Sequence, residues 1–307
     1  MNSRILACAL ACLAMSAASA HAHGVAGDRI FPATLNVDDP AVADELAIPT
    51  VTWQRNGVAA DGSGPSNEYD VNVTFAKRIT DHFGVSIQLG HNFFDVMNGK
   101  SMNGWQNIRI GAKYQAYVNP EHELLVSVGV LRELPRTGTV SIGSDSVGTT
   151  TPTLYFGKGL GDLPIGGLRP LAITGTAGVA ISDKTPNATG NGGHENRFAG
   201  GLTVQYSIPY LESQVKNHGL PGWIGGLTPL VEIAYSSPIS RPSTQPMQLL
   251  IAPGVVYSAD TWQFAVEALI PANRNTGTNV GVIAEFHLYL DDILPRSLGT
   301  PVVNWFR

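Results

Sequence analysis

The feature that most restricts the fold is a period-two alternation that recurs along most of the chain, apolar residues on one phase and polar or charged residues on the other. From Tyr69 the apolar set Tyr69, Val71, Val73 and Phe75 interleaves with Asp70, Asn72, Thr74 and Ala76. After the polar turn Thr80-Asp81-His82, Val85, Ile87 and Leu89 alternate with Ser86, Gln88 and Gly90. Ile108, Ile110, Ala112 and Tyr114 then oppose Asn107, Arg109, Gly111 and Lys113, and near the end Val280, Val282, Ala284, Phe286 and Leu288 oppose Gly281, Glu285 and His287. Side chains of a strand point alternately to its two faces, so each such segment is a strand between two unlike surroundings. The expected strand cores are 48–55, 67–79, 84–94, 105–117, 124–133, 151–160, 169–182, 196–208, 228–237, 247–257, 262–271 and 278–290. That is about twelve strands of the length a tilted membrane strand needs, and the count is even, as a closed single-chain barrel requires.

The connections alternate in character as well. Thr80 to Phe83, Asn119 to Glu123 and Ser258 to Thr261 are short, whereas Arg136 to Thr150 and Asp183 to Glu195 are longer and rich in Gly, Ser, Asn and Thr. Short periplasmic turns and longer outer loops are the membrane-barrel pattern and predict both termini in the periplasm. The stretch Pro209 to Leu227 disagrees, being long on the short-turn side. It either carries a small element of its own or marks a slip in the strand count.

The N-terminus reads as an export signal. Met1-Asn2-Ser3-Arg4 carries one positive charge, an apolar run from Ile5 to Met15 follows, and small residues end at Ala18-Ser19-Ala20. Cleavage is expected after Ala20, with Ala22 as the second choice. Both cysteines, Cys8 and Cys12, lie in this segment, so the processed chain has no disulfide and no thiolate chemistry. Loss of Arg4 takes the formal charge of −5 to about −6, and a mildly acidic chain without a basic run argues against nucleic acid as a partner. Beyond residue 20 no apolar run approaches the roughly 18 residues of a membrane helix. The expected organisation is a signal at 1–20, a plug or periplasmic segment at 21–47, a barrel at 48–290 and a tail at 291–307. A secreted sandwich or water-soluble barrel also alternates, but export, the even count and the loop asymmetry favour an all-β antiparallel transmembrane barrel. Trp53, Tyr69, Phe93, Phe94, Trp105, Tyr117, Tyr235, Tyr257, Trp262 and Tyr289 fall near strand ends, where the aromatic girdles of such a barrel lie.

The whole chain after the signal resembles Gram-negative outer-membrane β-barrels of medium size. Asn279-x-Gly281-x-x-Ala284-x-Phe286 is similar to the terminal signal read by the barrel-insertion machinery, departing from it at Ala284 and in the tail from Asp291 to Arg307. More narrowly, His23-Gly24-Val25-Ala26-Gly27-Asp28-Arg29, Phe31-Pro32-Ala33-Thr34-Leu35, Asp38-Asp39-Pro40 and Leu290-Asp291-Asp292-Ile293-Leu294-Pro295 resemble an uncharacterised proteobacterial family of exported proteins. That family is loosely similar to outer-membrane proteins associated with phenol degradation. The resemblance implies a barrel surrounded by outer-membrane lipid and lipopolysaccharide, inserted by that machinery, and transport of small organic solutes. It brings no catalytic residue.

Asp70, Arg109, Lys113, Glu232, Glu267, Glu285 and His287 fall on the polar phases of their strands and are the pore-lining candidates. In a barrel they point inward, where they must meet water or partners. They either line a pore that selects solutes by charge or form a salt-bridged plug. The segment from His21 to Ile48 carries Asp28, Arg29, Asp38, Asp39, Asp44 and Glu45, together with Phe31, Leu35, Val42 and Leu46, apolar residues that a free tail does not need. It is expected to fold into the barrel or its mouth. His21 and His23 at the processed N-terminus form a candidate Cu(II) site; no cofactor is expected otherwise. Enzymatic motifs are lacking. The nearest approach to the His-x-Ser-Asn run of outer-membrane phospholipases is His194-Glu195-Asn196, without a serine. The expectation is a channel or uptake protein and not an enzyme, with a plugged structural barrel as the competing reading and a lipid hydrolase behind both.

Overall fold

The computed structural model describes residues 24–57, 65–97, 99–142, 144, 146–185, 193–239 and 246–306. A small hairpin, β1 (Gly24–Ala26) and β2 (Arg29–Phe31), precedes β3 (Glu45–Asn56), β4 (Ser66–Arg78), β5 (Phe83–Val96), β6 (Met102–Trp105), β7 (Arg109–Asn119) and β8 (Leu124–Glu133). Then come β9 (Thr149–Gly159), β10 (Leu171–Ser182), β11 (Arg197–Tyr206), β12 (Leu227–Pro238), β13 (Gln248–Ser258), β14 (Trp262–Pro271) and β15 (Gly281–Tyr289). From β3 onward sequence neighbours pair antiparallel, and β15 closes the ring against β3, from Val282 opposite Trp53 to Tyr289 opposite Glu45. The chain therefore closes on the strand ending at Tyr289 although eighteen further residues follow it.

Segments β6 and β7 are two halves of one strand. The amide of Gln106 donates to the carbonyl of Gly90, Arg109 already faces Gln88, and the residues between bulge out of the ladder. The ring thus has twelve strands. A second irregularity lies at the closing seam, where the register of β3 slips between Ala47 and Thr50. Pro49 lies in that slip and has no N–H to give to the ladder.

Burial inverts the order of a soluble protein. Val85, Ile87, Leu89, Leu202, Val204, Val231 and Ile233 are exposed on the outside, while Thr203, Glu232, Gln263 and Glu267 are buried inside. An apolar exterior and a polar interior are what lipid outside and a satisfied lumen inside select. Aromatic residues gather at both rims. Tyr69 faces Trp53 and Phe93 across the ladders at one end, and Trp262 lies 5.4 Å from Tyr257 and 5.6 Å from Phe286 at the other. Tyr289 does not belong to a girdle. It continues the inward phase of Glu285 and His287, is 2% exposed, and donates its hydroxyl to Gln263 Oε1 at 2.8 Å.

The short connections 79–82, 120–123 and 259–261 share one end with the start of β3 and the end of β15; this is called the turn end here, and the opposite one the loop end. The long connection at 207–226 carries helical turns at Ile208–Tyr210, Leu211–Val215 and Gly222–Gly225, so it holds an element of its own and the strand count does not slip. After β15, Leu290–Ile293 forms a helical turn and the tail folds back across β3 and β4, where the amide of Val303 donates to the carbonyl of Ile79. No helix of the described residues is long and apolar enough to cross a membrane.

Candidate functional site in the barrel lumen

The lumen contains the chain's own N-terminal segment. The β1–β2 hairpin turns at Gly27, whose φ of 66° suits glycine, and a Cβ there would strike the carbonyl of Pro120. Arg29 follows, fully buried, and is held at the turn end. Its guanidinium meets Glu123 Oε2 at 3.1 Å, donates to the carbonyls of Pro170 and Arg169 at 3.1 and 2.5 Å, and lies 3.7 Å from the centre of the Tyr210 ring. Gly159 opens space for this group, since a Cβ there would fall on Arg29 and Glu123. Burial, aided by the Glu123 carboxylate, pushes the Tyr210 phenol up to about 12. Phe31 packs with Ala26, Leu125 and Ala172, a burial worth about 1.5–3 kcal/mol for a side chain of this size.

The segment then turns its backbone toward inward carboxylates. Glu232 accepts from the amides of Asn36 and Val37 at 2.6 and 3.1 Å and from the Thr203 hydroxyl at 3.0 Å. Glu267 accepts from Asn36 Nδ2 at 2.7 Å. The carbonyl of Ala33 accepts from Gln263 Nε2 at 2.8 Å, and Leu35 packs against the clusters built on Leu230 and Ala252. Lys113 meets Asp38 Oδ2 at 3.0 Å, donates to the carbonyl of Asp39 at 2.8 Å and sits 4.6 Å from the Tyr155 ring centre. Ser127 donates to the carbonyl of Pro40. At the exit Asp44 forms ion pairs with Lys77 at 2.6 Å and Arg78 at 2.8 Å, and Arg78 also reaches Asp291 at 2.9 Å, so segment, β4 and tail meet around Arg78. Burial pushes the Asp291 carboxyl up to about 7 against the opposing pull of Arg78.

These contacts fall mostly on the wall from β7 round to β14. Along the remaining wall, β15, β3, β4 and β5, the segment leaves a cavity of about 320 Å³. Its strand side is Ala47, Thr50, Thr74, Ala76, Ser86 and Gln88, and its charged groups are Asp38, Asp39, Glu45, Glu285, Lys113 and His287. His287 is held between two carboxylates, 3.1 Å from Glu45 Oε2 and 3.1 Å from Glu285 Oε1, and Thr50 donates to Glu285 Oε2 at 2.6 Å. A second cavity, about 300 Å³, opens at the loop end between Gln54, Asn56, Ser236, Gln248 and Asn279.

All seven pore-lining candidates point inward, and the structure divides them. Lys113, Glu285 and His287 border the cavity; Glu232 and Glu267 are consumed in holding the segment. Asp70 and Arg109 stand nearer the loop end, Arg109 paired with Glu133 at 3.4 Å and Asp70 retaining a buried Oδ1 without a hydrogen bond among the described residues. His21 and His23 lie outside the described residues, among which no group of three metal-ligating side chains occurs. Periodicity did not single out Asn36, Thr203, Gln263 or Glu123. All but Glu123 are neutral, and Glu123 sits in a turn where alternation carries no signal.

No family model and no curated protein matches the sequence. Solved structures do. An outer membrane channel from Pseudomonas putida F1 aligns over 85% of this chain and 99% of that one, with a TM-score of 0.55 at 10% identity. The KdgM porin in complex with disordered oligogalacturonate and the NanC porin align over 79% and 78% of this chain and 98% of each of theirs, with TM-scores of 0.46 and 0.48 at 13% and 10% identity. Likeness at these identities is one of fold, and the narrower resemblance to proteins associated with phenol degradation has no sequence match behind it. The chain is, by its fold, a closed antiparallel twelve-strand barrel of the Gram-negative outer-membrane type, with an apolar face for lipid and an occupied polar lumen.

Proposed function

We propose that the protein is a passive outer-membrane channel for small organic solutes, and that the passage runs off-centre, between the N-terminal segment and the wall of β15, β3, β4 and β5. The observation that carries this reading is the cavity itself. Its lining is mixed, Leu35, Val42 and Ala43 of the segment on one side and Ala47, Ala76, Thr74, Ser86 and Gln88 of the strands on the other, with charged groups between them, and its 320 Å³ suits a small organic molecule and no polymer coil. Four carboxylates border it against Lys113 and His287, and Lys113 is already paired with Asp38, so the passage favours cations and neutral polar solutes over anions. The Pseudomonas putida F1 protein, itself described as an outer membrane channel, lends support through fold alone. In this reading the turn end faces the periplasm, lipid and lipopolysaccharide surround the barrel, the insertion machinery places it there, and no reaction is assigned to it.

The second reading is a sealed barrel, and the hydrogen bonds that Asn36 and Val37 give to Glu232 favour it. Single-channel conductance of the refolded protein in a planar bilayer, beside a variant lacking His21 to Ala43 and so keeping Asp44 and all of β3, separates the two. Steady, cation-preferring conductance of the intact protein is the expected result. Conductance from the truncated form alone makes the segment a plug, and silence from both folded proteins sinks the channel reading.

A further inference from the structure

The turn end carries two clusters of exposed apolar side chains. Its short connections, 79–82, 120–123 and 259–261, expose polar groups such as Asp81, His122 and Asp260. One apolar sector lies on the connections β9–β10 and β11–β12, where Ile165, Leu168, Leu220 and Trp223 are 60%, 41%, 37% and 67% exposed. The other lies on the tail across β3 and β4, where Leu294, Leu298, Trp305 and Phe306 are exposed. From the β10–β11 pair to the β3–β4 pair one crosses β12, β13, β14 and β15 in one direction and β9, β8, β7 and β5 in the other. The two sectors are diametrically opposed.

Each sector continues an outward column of the barrel. Leu202, Val204 and Tyr206 form the outer face of β11, and the Tyr206 hydroxyl donates to the carbonyl of Gly167 at 3.2 Å, joining that column to Leu168 and Ile165. On β4 the column Tyr69, Val71, Val73 and Phe75 ends at Lys77, whose ammonium donates to the carbonyl of Thr300 at 2.7 Å and lies 5.4 Å from the Trp305 ring centre. Trp305 is fixed in turn by Nε1 donating to the carbonyl of Ser297 at 2.9 Å. Exposed cations stand beside both sectors, Lys216 near the first and Arg296 in the second. Tryptophan with an exposed apolar flank and neighbouring Lys or Arg is the composition of the lipid headgroup zone, where the indole body is apolar and its edge wet.

We propose that the two sectors are interfacial feet that insert into the headgroup region of the leaflet at the turn end and together fix the height and tilt of the barrel. Lipid fits better than a protein partner because both sectors are continuous with the surface that already faces lipid. A single protein covering both would have to span the barrel mouth. Opposed feet resist tilting about the in-plane axis perpendicular to the line that joins them, because any such tilt lifts one foot out of the headgroups while it sinks the other.

The test uses single cysteines in a Cys8→Ser, Cys12→Ser background, at Trp223, Trp305, Asp260 and Val231, each labelled with an environment-sensitive fluorophore and folded into phosphatidylethanolamine–phosphatidylglycerol vesicles. Leu220→Cys and Leu298→Cys replace the tryptophan sites if those variants do not fold. The labels at 223 and 305 should shift to the blue and be quenched by a headgroup-proximal nitroxide lipid, with the label at 260 unquenched. Emission and quenching at 223 and 305 equal to those at 260 would overturn the proposal. So would a blue shift that grows with protein concentration and resists lipid quenching, which would assign the surface to a second copy. The label at 231, on the outer face of β12, should be quenched by a deep nitroxide; if it is not, the barrel's placement in lipid fails, and the feet fail with it.

Discussion

The two sides of the lumen make different use of the same kind of residue. On the wall from β7 to β14, inward polar side chains are spent on the N-terminal segment: Glu232 takes two backbone amides, Gln263 gives to a carbonyl, and Lys113 binds both Asp38 and the Asp39 carbonyl. On the wall from β15 to β5, Thr74, Ser86 and Gln88 border open space. The difference teaches that an inward charge in a barrel is a position and not a role. Its role is decided by whether something else in the chain comes to meet it.

That contrast can be broken most forcefully at Arg29. Arg29→Ala leaves Glu123 buried and two carbonyls orphaned, and loss of one partner of a buried pair costs about 3–5 kcal/mol. The segment should detach at the turn end, read as increased conductance and proteolytic cleavage within residues 24–44 of the folded barrel. Glu232→Leu comes next. It strands the amides of Asn36 and Val37 and the Thr203 hydroxyl, at about 1–3 kcal/mol for each unsatisfied group, and should produce current fluctuations between closed and open levels.

On the open wall the response should differ in kind. Glu285→Gln should lower cation preference, read as a reversal potential under a salt gradient, and leave the segment protected from protease. A still smaller effect concerns the tail. The Asp291 carboxyl is raised by burial from an ordinary 3.8 to about 7, despite Arg78 and with Asp44 and Glu45 adding to the rise. The protonated form is therefore the one the folded tail favours. Its contribution is full below the ordinary value and is lost as pH climbs through about 7. Hydrogen exchange in residues 294–306, corrected for intrinsic rates, should be faster at pH 8 than at pH 5, and Asp291→Asn should flatten that dependence. At the low end, Asp162 is held down to about 2 by its hydrogen bond from Lys158 at a largely exposed site. Asp162→Asn should leave unfolding unchanged within about 0.5 kcal/mol, as surface replacements do.

Much of the barrel was legible because lipid imposes a rule on one face of every strand. The bounds of β8 at Leu124–Glu133 and β14 at Trp262–Pro271 coincide with the expected ones, and the phases of Glu232, Glu267 and Glu285 follow from alternation alone. What interrupts alternation was not legible: the bulge after Gln106, the earlier start of β3 at Glu45 across the slip at Pro49, and the inward turn of Tyr289, read as an interfacial aromatic because of its side chain and in spite of its phase. The lumen divided in the same way. Phe31 and Leu35 announced a buried segment by being apolar, but the seat of Asn36 on Glu232 joins residues 196 apart in sequence and leaves no local trace.

The off-centre passage can be tested most directly by cysteine accessibility during conduction. In a background without Cys8 and Cys12, Thr74→Cys or Ser86→Cys lies on the open wall and Thr203→Cys on the gripped one. A small cationic methanethiosulfonate reagent should reduce single-channel current at positions 74 and 86 and leave position 203 untouched. Equal block at all three, or modification at 203 alone, would contradict the account and put the path, if there is one, on the other side of the segment.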